Sequence, residues 1–427
     1  MAKVYISFLG TTPYTPCIYY REPDRRESTQ VRFFQQAALE LYCQDWTKGD
    51  RIYVFTTDKA YETNWLDGIT EVGEGVSVVA PGLGELLKEM KPECDPKHID
   101  IPPGESEDQI WKIFESILNV LTEGDEVLFD ITHAFRSIPS LAVVVLNYAK
   151  LIKKIKVIGI YYGAFEAKKE GKAPIFNLAS FDTLLEWTAA INQFNEAGDA
   201  QKVYDLAGKT AAPIKAKINE VANCLKYFTK AMSTCRGLDI SPSALALKKS
   251  LDDYTDVNHF LPLKPLLEIV RKQVDVFTGH TLRDGIQAAK WCFDHNLVQQ
   301  GFTILAEILV THLVEEVGGD TKNWHTRKFV GNAATSLACE AGKKIPASKG
   351  KKKIKQAKPK TPEDIMMEKQ CNICPTYTDV LNTVKELKDD RNDLDHAGYR
   401  DQPKPPEYFE QHKDIWLKKI IANLSKT

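Results

Sequence analysis

The sequence predicts an α/β domain with a doubly wound sheet, followed by an all-α domain. Three observations carry this. Strand and helix signals alternate over roughly the first 165 of the 427 residues. Strands such as Val127-Leu128-Phe129 are near-continuously apolar, the composition of a sheet covered on both faces. From about Phe181 onward the strand signals fade and helical periodicity dominates.

Taken in order, the predicted strands are Val4–Leu9, Arg51–Thr57, Val76–Ala80, Glu126–Thr132 and Lys156–Tyr162, each a short apolar, β-branched or aromatic run. Helices are predicted at Gln30–Trp46, Glu107–Leu121 and Pro139–Lys153, where apolar residues recur every three or four positions. Alternation of this kind implies a Rossmann-like parallel sheet. Beyond it, segments 181–208, 212–232, 242–252, 262–278, 282–296 and 297–317 carry helical spacing. Residues 343–360 break the pattern with nine lysines and no acid, which reads as a mobile insertion or as an electrostatic arm for RNA phosphates. Helical signals return from Pro362, and Pro405–Ala422 is the last helix. The expected division is 1–180 for the sheet domain, 181–280 for a helical linker or insertion, and 281–427 for a helical domain that holds the Lys-rich insertion.

Composition narrows the function classes. Hydrophobic residues make up 43% and the net charge is −2, so no overall basic character advertises nucleic acid and such contacts must come from local patches. No apolar run approaches the length of a bilayer span. Met1 leads directly into a strand-like run, so neither a signal peptide nor membrane contact is expected and the expected location is cytoplasmic. Of nine cysteines only Cys371 and Cys374 form a C-x-x-C pair, and no second pair completes a zinc site. No bound metal is expected; these are read as reduced thiols, with a redox pair or a metal shared across a dimer as alternatives.

In an open parallel sheet, ligands settle at the carboxyl ends of the strands where strand order reverses. After the first strand come Gly10, Thr11, Thr12, Pro13 and Tyr14. The glycine admits close backbone approach and the hydroxyls can bond phosphate or ribose, although a simple turn explains them as well. After the fourth strand comes Asp130-Ile131-Thr132-His133-Ala134-Phe135-Arg136-Ser137-Ile138-Pro139. Ser137 can cap the following helix, and Thr132, His133 and Arg136 flank a helix N-terminus suited to an anion. The dinucleotide fingerprint G-x-G-x-x-G is absent at both places, which argues against NAD or FAD and for another phosphate-rich nucleotide.

A second site lies near the C-terminus. Val380, Val384, Leu387 and Leu394 recur at helical spacing, which places Arg391 in an apolar stripe. His396 follows Asn392 by about one turn. Arginine, a polar residue and histidine at one helix end suit phosphoryl chemistry. The competing reading pairs Arg391 with Asp395 at i, i+4 and leaves His396 as a helix-end charge.

The segment Asp130-Ile131-Thr132-His133-Ala134-Phe135-Arg136 resembles the D-x-T-H-G-x-R signature of CARF domains, the Rossmann-fold sensors of CRISPR systems, with Ala134 where the signature has Gly. Arg391 through His396 resembles the R-x4-6-H signature of HEPN ribonucleases, including the polar residue after the Arg. Together, in this order, they resemble the CARF–HEPN accessory ribonucleases of type III CRISPR antiviral defence. The resemblance implies an N-terminal α/β Rossmann-like CARF sensor domain and an all-α C-terminal HEPN domain. It implies a homodimer or higher homo-oligomer in which Gly10, Thr11, Thr12, Thr132, His133 and Arg136 bind a cyclic oligoadenylate, tetra-adenylate fitting best and hexa-adenylate next. No other cofactor is implied. In the HEPN half it implies a composite, metal-independent site that cuts single-stranded RNA to 2′,3′-cyclic phosphates. Arg391 would stabilise the phosphorane, Asn392 orient the phosphate and His396 act in proton transfer or place the 2′-hydroxyl, the apolar stripe being the subunit interface. Lys351, Lys352 and Lys353 would raise the local RNA concentration. Three rivals stand beside this reading: a CARF-type transcription regulator without nuclease activity, an added ring-nuclease activity in the sensor domain, and an unrelated small-molecule Rossmann enzyme.

Overall fold

The computed structural model describes residues 1–22, 24–73, 76–90, 92–133, 138–210, 215–254, 263–341 and 376–424. Arg136, Ala134, Ser137, the Lys-rich segment 343–360, and Cys371 and Cys374 lie outside the described residues. The chain forms two compact units, 1–185 and 186–427. No helix among the described residues is long and apolar enough to cross a membrane.

Unit 1 is built on strands β1 (Lys3–Phe8), β2 (Cys17–Arg21), β3 (Glu27–Val31), β4 (Arg51–Thr56), β5 (Asp67–Gly73), β6 (Val76–Pro81), β7 (Pro96–Asp100), β8 (Glu126–Asp130), β9 (Lys156–Gly163) and β10 (Lys172–Asn177). Its main sheet runs β3-β2-β10-β9-β8-β1-β4-β7. The five strands β9-β8-β1-β4-β7 are parallel, as expected for a Rossmann-like sheet. Beyond β9 the sheet becomes mixed: β10 runs antiparallel to β9, β2 parallel to β10, and β3 antiparallel to β2.

Two of the expectations need correction. The segment Val76–Ala80 is a strand, but it pairs with β5 in a separate antiparallel ribbon, and β7 takes the edge of the main sheet instead. The strand β7 reads Pro-Lys-His-Ile-Asp, with a proline at its first residue and polar side chains, a composition that only an edge strand tolerates. The long helix expected over Gln30–Trp46 is shorter, because β3 occupies its first residues; α1 is Phe34–Tyr42.

Side chains of the central strands alternate between two cores. Tyr5 and Leu128 point to the face covered by α1 and by α2 (Leu83–Glu89). Val4, Ile6, Phe8, Val127 and Phe129 point to the opposite face, covered by α3 (Glu107–Val120) and α4 (Ile138–Ile152). Helix α4 buries Ala142, Val145, Leu146 and Ala149 on the sheet, while its other side leaves Val144, Tyr148, Leu151 and Ile152 exposed.

Unit 2 begins within α5 (Ala179–Ala197) and continues through α6 (Gln201–Lys209), α7 (Lys215–Ser233), α8 (Gly237–Asp253), α9 (Leu263–Val274), α10 (Thr281–Asp294), α11 (Val298–Glu316), α12 (Trp324–Ala341), α13 (Thr376–Asp395) and α14 (Pro406–Leu424). One hydrophobic core runs through all of them, from Trp187 and Phe194 through Phe228, Trp291 and Leu309 to Val384, Leu387 and Ile420.

A tight contact sets the approach of α1 to the sheet. A Cβ added at Gly163, the last residue of β9, would lie 2.3 Å from Phe34 Cδ2, and the Phe34 ring is fully buried. Gly163→Ala is therefore expected to lower stability by about 1–3 kcal/mol through overpacking, read as a lower midpoint in thermal unfolding. An unchanged midpoint would show that the ring has room to yield.

Candidate functional site

The order β9-β8-β1-β4-β7 reverses at β1: the chain moves from β1 to β4 and β7, then crosses back to β8 on the other side. The carboxyl ends of β1 and β8 are therefore the switch point, where an open α/β sheet leaves a crevice. Both stretches singled out in the sequence, 10–14 and the one that starts at Asp130, leave from these two ends, the second being described as far as His133.

Asp130, the last residue of β8, is completely buried and organises the crevice. Its Oδ2 accepts hydrogen bonds from Tyr5 Oη at 2.8 Å and Ser7 Oγ at 2.7 Å, both on β1, and its Oδ1 accepts from the Thr132 amide at 2.8 Å. Burial pushes the carboxyl above its ordinary pKa, against the hydrogen bonds from Thr132, Ser7 and Tyr5, which pull it down. Gln35 on α1 extends the network, donating to Ser7 Oγ and to the Phe8 carbonyl, each at 2.9 Å. Thr132 is drawn into the framework as well, since its Oγ1 accepts from the Gly163 amide at 2.9 Å.

The β1 loop is held from two sides. Tyr14 Oη accepts the Gly10 amide at 2.8 Å, and a Cβ at Gly10 would sit 2.8 Å from that same oxygen. Glycine is needed here to admit the tyrosine hydroxyl. Asn64, buried in helical segment 58–66, donates to the carbonyls of Gly10 and Thr12 at 2.9 and 3.0 Å. The Tyr14 ring meets His133 edge-on at 4.4 Å, so Gly10, Thr11, Thr12, Thr132 and His133 share one small region. Burial drives the His133 pKa from 6.5 down to about 3, so its imidazole is neutral at neutral pH. Among the described residues, His133 Nε2 and Asn64 Oδ1 are buried without a partner. Asn64, Ser7 and Gln35 were not found from sequence, because single polar residues in separate elements carry no periodic signal, and Tyr14 was noted there only as part of the loop.

In unit 2 the stripe expected at a subunit interface is instead the protomer's own core. Val380, Val384 and Leu387 are buried in the helical core, and Leu394 packs against it. Among the described residues of this helix two charged ones are buried, Asp390, one position before the arginine, and Asp393, whose Oδ2 accepts the Lys404 amide at 2.8 Å. Trp416 Nε1 donates to Asp390 at 2.8 Å and Tyr408 Oη at 3.2 Å, and Lys404 forms an ion pair with it. These bonds fasten α14 and the loop before it to α13. Arg391 lies at the edge of the core, half-buried. Its Nη2 donates to Asn392 Oδ1 at 2.9 Å, and its guanidinium faces Asp395 at 3.3 Å and Glu307 of α11 at 3.7 Å. The i, i+4 ion pair is thus present, joined by an acid that lies far away in sequence. His396 follows the last residue of α13; its amide donates to the Asn392 carbonyl at 3.0 Å, and its side chain is exposed. The fold thus joins Arg391 to Asn392 by their side chains and sets His396 at the same helix end with its ring in solvent.

Comparison with known proteins bears on the sheet unit first. Residues 4–166 match the family described as the CARF domain of the CRISPR system endoribonuclease Csx1. The N-terminal unit matches a CARF domain. The chain is also 26% identical over 289 residues to the CRISPR-associated protein MJ1674 of Methanocaldococcus jannaschii. That match covers 65% of this chain and 43% of the relative, less than half its length. Together these support a CARF-containing, CRISPR-associated protein whose second unit is helical.

The neutral His133 has a consequence for stability. The unfolded imidazole titrates near 6.5 and the folded one at about 3, so between these values the unfolded state holds more protons. The contribution is complete above pH 6.5 and is lost as pH falls toward 3. Urea unfolding of the wild type is expected to lose about 1 kcal/mol per pH unit between pH 6.5 and 5 on this account, and His133→Gln to flatten that slope. Equal slopes in the two proteins would show that the imidazole is not held neutral.

Proposed function

We propose that the protein is a cyclic-oligoadenylate-activated, metal-independent endoribonuclease of type III CRISPR defence, cutting single-stranded RNA. The observation that carries the nuclease half is the end of α13, where Arg391 bonds Asn392 and His396 stands one turn on with a free imidazole. Supporting the sensor half are the CARF match and the switch-point crevice, where buried polar atoms of His133 and Asn64 have no partner among the described residues.

In this reading cyclic tetra-adenylate lies across two CARF units, touching Gly10, Thr11, Thr12, Thr132, His133 and Arg136. A symmetric ring suits an isologous dimer. The exposed apolar side of α4, with Val144, Tyr148, Leu151 and Ile152, supplies a surface that a second copy would cover. Ligand binding shifts the population of the helical dimer toward its active arrangement. There Arg391 stabilises the charge developing on phosphorus, Asn392 orients the phosphate, and His396 moves the proton as the RNA 2′-hydroxyl attacks its own phosphate. The products carry a 2′,3′-cyclic phosphate, and DNA, lacking the 2′-hydroxyl, is not cut.

The test is cleavage of a fluorescent single-stranded RNA in chelator, across cyclic tri-, tetra- and hexa-adenylates. Cutting is expected with one ring, and an Arg391→Ala/His396→Ala variant is expected to lose at least about 100-fold in rate. Ring binding without any cutting would favour the regulator. For assembly, Leu151→Glu is expected to shift the sedimentation of the protein from dimer toward monomer and to abolish activation while leaving the fold intact. A dimer unaffected by the charge would remove α4 from the interface.

A further inference from the structure

Three helices of unit 2 enclose a cleft of about 370 Å³ that opens beside Arg391. Helix α11 contributes Glu307, α12 contributes Trp324, Arg327, Lys328 and Asn332, and α13 contributes Lys388 and Arg391. Four cations therefore line it against one carboxylate. Glu307 is held mainly by Arg327, at 2.6 Å. Arg391 Nη2 donates to Asn392 and its Nε faces Asp395 at 3.3 Å. Glu307 lies 3.7 Å from Nη1, longer than the ~2.8 Å of a charge-assisted hydrogen bond, so Nη1 keeps its donors for an anion. A second cleft along α13, sharing Lys388 with the first, is lined by three lysines and three acids, Glu386, Asp389 and Asp390, and offers an anion no such advantage.

The rim of the basic cleft is aromatic. Trp324, the first residue of α12, is 62% exposed. Lys328 lies over its ring at 4.6 Å and His325 meets it edge-on at 5.0 Å. An indole left in water carries no core-packing role, and among the described residues of unit 2 only Trp324 combines such exposure with a basic cleft behind it. An exposed π face beside a row of cations is the combination that holds single-stranded nucleic acid, by stacking a base and neutralising its phosphates.

We infer that this cleft is a single-nucleotide subsite for the RNA strand. The base stacks on Trp324, Asn332 meets its edge, and Lys328 and Lys388 hold the backbone on its way to Arg391. The cleft volume lies at the low end of ligand sites, about 300–1,000 Å³, which admits one flipped-out nucleotide and excludes a duplex. The choice of RNA over other single strands rests on the proposed ribonuclease; the subsite itself rests on the cleft. Because stacking governs it, purines are favoured over pyrimidines there.

Binding of fluorescein-labelled 2′-O-methyl oligoadenylate and oligouridylate, roughly 15 nucleotides long to span a binding site, tests this by anisotropy on the full chain with saturating cyclic tetra-adenylate. The methyl groups block cleavage. Trp324→Ala is expected to weaken oligoadenylate binding about tenfold and to erase the preference over oligouridylate, while Trp324→Phe stays within about threefold. Lys328→Ala and Lys388→Ala are expected to lower the salt dependence of binding. Because Trp324 is exposed, the circular dichroism of Trp324→Ala should match wild type. A Trp324→Ala protein that binds as tightly as wild type overturns the subsite, even if RNA is cut. Loss of binding in Trp324→Ala with no ring-induced cutting by wild type would sink the ribonuclease and keep the subsite.

Discussion

The buried carboxylate of Asp130 is the interaction on which the switch-point crevice depends. A carboxylate without water is tolerated only where donors surround it, and here they come from β1, through Tyr5 and Ser7, and from the amide of Thr132. Removing the acid would take the acceptor from two buried hydroxyls, leaving Ser7 only its bond from Gln35, and unfasten the loop that carries His133. The same bonds fix where β1 ends relative to β8, so the switch point has a defined shape before any ligand arrives. Gln35 and Asn64 then tie α1 and segment 58–66 to the backbone of β1 and its loop.

Unit 2 solves its own positioning problem in the same way. Asp390 is buried at the end of α13 and receives Trp416, Tyr408 and Lys404. The next residue, Arg391, is thereby set at the edge of the core with a fixed backbone and a partly free head group. In both units a buried aspartate adjoins residues of the proposed sites: Asp130 is two and three positions before Thr132 and His133, and Asp390 is one before Arg391.

The parallel centre of the sheet was legible because β1, β4, β8 and the second half of β9 are largely buried and read as apolar runs. The edges were not. The strands β2, β3, β7 and β10 mix charged and polar residues, and Val76–Ala80, apolar enough for the sheet, pairs in a ribbon outside it. The loops after β1 and β8 were found from their residue types and do adjoin, as Gly10 and His133 show. What glycine does at position 10 was not readable, since it depends on a tyrosine hydroxyl folding back four residues later. On α13, spacing correctly marked a stripe but not what covers it. A periodic pattern reports that a face is buried, and it cannot tell a protomer's own core from a partner subunit.

Arg391 shows why charge is the hardest quantity to read from a sequence. Spacing placed it inside an apolar stripe, where a lone guanidinium would be costly. The fold displaces it only slightly, to the edge of that stripe, and supplies Asp395 from its own helix and Glu307 from α11. The costly burial falls instead on Asp390, which has three donors, and on Asp393, which accepts the Lys404 amide. Two of the groups proposed for chemistry, His396 and Trp324, lie in water and contribute little to folding, whereas Asp130 and Asp390 are buried and hydrogen-bonded. Substitutions at the exposed set should therefore separate function from stability, and those at Asp130 or Asp390 should not.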